Sequence, residues 1–96
     1  MISRRFFYKI LNNPDLCVSW YLMASYLYYK TNFQIMTDSE YDLIGREIYK
    51  NWNKITHPHK KLITIEKDNI SGFNITDYPK IVEGAALQAY KKLVAF

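Results

Sequence analysis

Asp38, Tyr41 and Asp42 are spaced i, i+3 and i+4, which sets two carboxylates and a phenol on one face of a helix. Tyr28 and Tyr29 end the helix before it and can face that surface across a short loop. Carboxylates accept from hydroxyls and attract cations, and phenol rings stack on flat ligands. The set therefore suits a cationic or hydroxyl-rich aromatic ligand. Acid–base catalysis would need an environment that splits the two acids in pKa. At an open helix start both are expected to stay ionised, so they read as binding groups. The sequence offers no Ser or Cys paired with a base and no glycine-rich phosphate loop. No catalytic residue is assigned.

A second cluster is His57-Pro58-His59-Lys60, followed by Lys61. Two imidazoles one residue apart invite a metal reading. A zinc site wants three or four ligands, and the chain has no further His and a single Cys, so no metal is expected. Pro58 makes the segment a turn, and a hydrogen-bonded structural corner is the favoured reading. The alternative is an anion site made by His57, His59 and Lys60. Folded against Tyr28 and Asp38, such a corner would place a phosphate clamp beside an aromatic cleft. Arg4 and Arg5 read as a solvated face.

Helices must position these groups. Ser3 to Leu11 forms a short first helix with Phe6, Phe7, Ile10 and Leu11 as its apolar stripe. Asn13 is a natural N-cap, Pro14 fits the first helical position, and Asp15 complements the positive dipole end. This second helix is expected to reach about Lys30, with Leu16, Trp20, Met23 and Leu27 as its core stripe. Thr31 to Met36 makes a connection short enough for a helical hairpin, plugged by Phe33, Ile35 and Met36. Thr37 and Glu40 then form an S/T-x-x-E capping box, starting a helix at Asp38 that runs to about Asn53. Its stripe is Tyr41, Ile44, Ile48 and Trp52. Leu62 to Ile65 is β-branched, and Ile70, Phe73 and Ile75 alternate with polar residues across a turn at Ser71-Gly72. A small ribbon is expected there. Thr76-Asp77-Tyr78-Pro79 opens a last helix, with Val82, Ala86, Ala89, Leu93 and Phe96 on its inner face. Gly84, Ala85 and Ala86 make a small-residue patch for close packing. The fold class is mainly α: a small helical domain built on a helical hairpin, with a C-terminal helix and a short irregular or β segment.

The chain has 96 residues, room for one domain spanning 1–96. Its composition is 49% hydrophobic, which argues against disorder, and its nine tyrosines supply either core or contact surface. The formal charge of +4 allows weak attraction to nucleic acid, but Lys and Arg form no single stripe. Single Cys17 rules out an internal disulfide and fits a reducing compartment. No apolar run reaches transmembrane length and no signal peptide is legible, so a cytoplasmic location without membrane association is expected.

The pattern YY-x8-DSEYD resembles the N-terminal Ia domain of bacterial NAD-dependent DNA ligases, over roughly Leu22 to Ile48. In that family the matching residues hold the nicotinamide mononucleotide half of NAD. The resemblance implies the same role for Tyr28, Asp38, Tyr41 and Asp42, with Tyr29 standing where the ligases have His. Over nearly its whole length the chain also looks like small standalone ligase-related proteins of bacteriophages, which share the HPHK segment and the stretch from Tyr78 to Ala86. The adenylation motif K-x-D-G is absent, Lys67-Asp68-Asn69 does not match it, and no nucleotidyltransferase domain fits in the remaining residues. The expectation is a non-catalytic accessory module that binds NAD or nicotinamide mononucleotide. The alternative is an interaction or inhibitor protein directed at a host enzyme. Weak nucleic-acid binding ranks third, and the aromatic load allows a homodimer.

Overall fold

Helix α1 (Arg4–Leu11) begins where the Ser3 hydroxyl accepts the Phe6 N–H at 3.1 Å. Helix α2 (Pro14–Tyr26) begins at Asn13, whose side-chain oxygen accepts from the Asp15 and Leu16 N–H groups. Helix α3 (Asp38–Lys50) begins at a complete capping box: Glu40 N–H donates to the Thr37 hydroxyl, and Thr37 N–H donates to the Glu40 carboxylate. Strands β1 (Thr64–Glu66) and β2 (Asn69–Ser71) form an antiparallel ribbon that pairs Thr64 with Ser71 and Ile65 with Ile70. Helix α4 (Lys80–Val94) closes the fold, with the Val82 and Glu83 N–H groups donating to the Pro79 carbonyl. The computed structural model describes residues 1–66, 69–71, 75 and 78–94. Of the turn expected at Ser71-Gly72, Ser71 instead belongs to strand β2 and pairs with Thr64; Gly72, Phe73 of the ribbon, Thr76 and Asp77 at the helix start, and Phe96 lie outside the described residues.

The architecture is mainly helical, and α2 is its axis. Helices α1, α3 and α4 all pack on it, and the ribbon packs on α3 through β2. Three covering helices explain a departure from the expected core stripe. Met23 and Leu27 of that stripe are buried, but Leu16 and Trp20 are only half-buried, whereas Cys17, Val18, Tyr21, Leu22 and Ser25, which lie off it, are buried. A helix covered on several sides has no single inner stripe, so amphipathic periodicity misplaces its core. In α3 the expected stripe holds: Ile44 and Ile48 are fully buried, Tyr41 is half-buried, and so is Trp52 just past the helix end.

The loop plug forms in two parts. Ile35 and Met36 enter the core, while Phe33 stays exposed and stacks flat on Tyr90 of α4, with centroids 4.3 Å apart. The Ile35 carbonyl also accepts the Ile2 N–H at 2.8 Å, which fastens the start of the chain to this loop. The small-residue patch on α4 serves less than expected. Ala86 is buried, but Gly84 is exposed and a Cβ built there would meet nothing within 4 Å. Cys17 is buried and donates to the Ile10 carbonyl, tying α1 to α2. Burial first, then the nearby Glu47 charge, pushes its thiol up to about 12, so it is an inert core group. No helix among the described residues is long and apolar enough to cross a membrane.

Candidate functional site

The segment that joins α2 to α3 shapes the site. After Tyr26 the chain does not continue as an α-helix but widens into a π turn, Leu27–Thr31. The Leu27 carbonyl accepts from both the Thr31 hydroxyl and the Phe33 N–H. Asn32 then takes a left-handed conformation with φ of 62°, which Asn tolerates better than most side chains. A π turn changes the facing of the residues it carries, and such turns recur at functional sites. Here it carries Tyr28 and Tyr29, whose rings meet edge to face at 5.0 Å and 88°.

Tyr28, Tyr29, Asp38, Tyr41 and Asp42 all line one cavity of about 340 Å³. The two tyrosines come from the π turn, and the other three come from the first two turns of α3. The spacing argument and the structure thus bring the same five side chains together. Gln34 adds one neutral polar group, and Ala24, Ile35 and Met36 supply the apolar lining. Among the described residues that line it there is no Lys, Arg or His. Tyr28 and Tyr29 are half exposed, so the cavity opens to solvent on that side.

Tyr41 is anchored from behind. Its ring stacks on Tyr21 at 4.3 Å with an interplanar angle of 13°. Its hydroxyl is hydrogen bonded to Ser25, which is fully buried. The Ser25 hydroxyl has one proton and donates it to the Tyr21 carbonyl at 2.8 Å, so Tyr41 is the donor in the Ser25–Tyr41 pair. Burial, and next the Tyr21 phenol, hold the Tyr41 hydroxyl far above the ordinary tyrosine value of 10, so it stays neutral. That hydroxyl is engaged inside the protein, while Tyr41 is one of the residues that line the cavity. Tyr78 extends the phenol cluster: it is buried, its ring meets Tyr26 edge to face, and its hydroxyl has no hydrogen-bond partner among the described residues. Burial first, and then the Tyr41 phenol, keep it protonated too. Ser25 and Tyr78 escaped the sequence reading. A lone Ser within an apolar helical run was the available signal for Ser25.

The His57 corner lies elsewhere. It borders a second cavity, of about 290 Å³, between α2 and α4, lined in part by Ser19, Met23, Pro58 and Ala85. The two cavities share no lining residue, so no phosphate clamp stands beside the tyrosines. The corner is built of hydrogen bonds. His57 Nδ1 accepts the His59 N–H at 3.1 Å, and its Nε2 is 2.8 Å from the Ser19 hydroxyl. Since Nδ1 accepts, the proton of the neutral ring sits on Nε2 and is donated to Ser19. Thr56 reaches back to the Asp15 carboxylate with both its N–H and its hydroxyl. Lys60 donates to the Trp52 carbonyl and lies over the Trp52 ring, 4.6 Å from its centroid. His57 and Lys60 are thus spent on the protein itself rather than held free for an anion. Among the described residues no group of three or more His, Cys, Asp or Glu could hold a metal ion.

This wiring predicts a pH dependence. Burial first, and then the neighbouring His59, lower the His57 pKa below its ordinary 6.5, while Asp15 opposes them. A second proton on His57 would displace the His59 N–H from Nδ1. Between the folded and the unfolded pKa the unfolded chain binds more protons, so stability rises with pH there. The contribution is complete above about pH 6.5 and is lost as pH falls toward the lower folded value. Thermal melts between about pH 7 and about pH 5 should show Tm falling, and His57→Gln should flatten part of that fall. An unchanged slope in the variant would mean that other groups carry it.

The fold and site define a small helical domain with an aromatic, acid-edged cleft at the joint of a helical hairpin. No protein-family model matches the chain, and no curated protein or solved structure matches it significantly.

Proposed function

We propose that the chain is a non-catalytic module that binds the nicotinamide mononucleotide portion of NAD, or a closely related nucleoside, in the cleft between Tyr28 and Asp42. The observation that supports this reading is the convergence of all five motif residues on one cavity. The likeness of YY-x8-DSEYD to the ligase Ia domain points to the same ligand. At about 340 Å³ the cavity falls within the usual range for small-molecule sites. The Asp38 and Asp42 carboxylates accept ribose hydroxyls, and a tyrosine ring stacks on the pyridine. In the ligases the adenylated domain completes the site. Here the cleft is open, so the affinity is weak, of the order of millimolar, about −4 kcal/mol. Such a module acts as an accessory to another NAD-using protein.

The test is an NMR titration with nicotinamide mononucleotide and NAD, following the amides of Tyr28, Asp38 and Tyr41. Saturable shifts that disappear in Asp38→Ala are expected. The absence of shifts at several millimolar ligand would overturn the reading and turn the search to protein partners.

A further inference from the structure

We propose that the cleft reads the charge of its ligand's ring, taking a permanently cationic aromatic such as an oxidised pyridinium and rejecting the same ring when neutral. This rests on the nicotinamide reading for its natural ligand, but the selectivity follows from the site's own chemistry. The chain carries a formal charge of +4, yet among the described residues this cavity is edged by two carboxylates and by no cationic side chain. Asp38 and Asp42 make no hydrogen bond or ion pair with another described residue that would neutralise them; the cap of the helix start is made by Thr37 and Glu40. Their field is therefore directed into the cavity and to solvent.

The aromatic geometry acts in the same direction. Tyr28 and Tyr29 meet at 88°, so together they form a corner in which a flat cation can lie on one ring face. The face of a phenol is the negative side of its quadrupole, and it attracts a cation. Tyr41 presents a third ring at the cavity wall, with its proton already donated inward to Ser25. The tyrosine rings and the acids therefore favour one sign of charge. A reduced dihydropyridine ring has nearly the same shape but no charge, so it forfeits both attractions. A phosphate on the ligand finds no basic side chain among the described residues of this lining and is expected to remain toward solvent.

The direct probe is a pair of small rings that differ in charge: 1-methylnicotinamide, a cation, and nicotinamide, which is neutral. Neither has ribose or phosphate. Titrated into the full chain by NMR, the cation should bind at least about tenfold more tightly, a difference of ~1.4 kcal/mol. Added salt should narrow the gap, because the carboxylates are solvent-facing. Asp38→Asn with Asp42→Asn should bring the ratio close to one while the unliganded spectrum keeps its dispersion. Equal binding of the two rings overturns the inference. A parallel titration with oxidised and reduced nicotinamide mononucleotide separates the two claims. Preference for the oxidised form supports both. Equal binding of the two forms overturns charge reading and leaves the nucleotide site standing. Binding of 1-methylnicotinamide without binding of either nucleotide supports charge reading and removes the nucleotide as the natural ligand.

Discussion

Ile44→Ala is expected to destabilise the fold by about 2–5 kcal/mol, whereas Leu43→Ala, one residue away, should cost no more than about 0.5 kcal/mol. Ile44 is 0% exposed and Leu43 is 42% exposed. Ile44 belongs to the α3 stripe, and α3 is held by α2, α1 and the ribbon together. Deleting three carbons there removes their transfer free energy and leaves a cavity that the surrounding elements close only in part. A domain of this length has a total stability of roughly 5–14 kcal/mol, so the loss is a large share of it. Urea titrations read it as a lower midpoint with an unchanged m-value. Equal losses at the two positions would mean that α3 is rotated from the orientation described.

The contrast shows which parts of the fold were legible in the sequence. Caps were legible because their partners lie within three residues: Ser3 with Phe6, Asn13 with Leu16, Thr37 with Glu40. The α3 stripe was legible because that helix has one dominant inner face. The core of α2 was not, since burial on several sides removes the periodic signal. The cleft was legible to the extent that it is local, with Asp38, Tyr41 and Asp42 sharing helical spacing. The π turn that presents Tyr28 and Tyr29 has no sequence pattern strong enough to announce it. Groups that meet over long separations were hidden for a different reason: their pairing depends on how the helices dock. His57 finds Ser19 thirty-eight positions away, and Phe33 finds Tyr90 on the last helix. Pro58 made a hydrogen-bonded corner the favoured reading over an anion site, but the partners of His57 and Lys60 appear only once the corner is docked.

Ser25→Ala should cost about 1–3 kcal/mol, more than Tyr41→Phe at about 0.5–1.5 kcal/mol, even though each breaks the same hydrogen bond. The asymmetry lies in what remains. Tyr41→Phe removes a donor and leaves Ser25 still bonded to the Tyr21 carbonyl, so nothing polar is stranded. Ser25→Ala removes the acceptor and leaves the Tyr41 hydroxyl against an apolar methyl, in a pocket where the Tyr78 hydroxyl has no partner among the described residues. The double variant should therefore lie close to Tyr41→Phe, so that the coupling energy in a double-mutant cycle equals the Ser25→Ala cost in size, about 1–3 kcal/mol. If Ser25→Ala proved the milder change, the Tyr41 hydroxyl would have to turn toward the open cleft and find water there. The same pair of variants bears on binding. In Tyr41→Phe the ring keeps its stack on Tyr21, so the cleft wall stays in place and ligand affinity should change less than about threefold. In Ser25→Ala the hydroxyl competes for the cavity, and affinity should fall further. Tyr41 would then act through the position of its ring, set from within by a serine that no ligand touches.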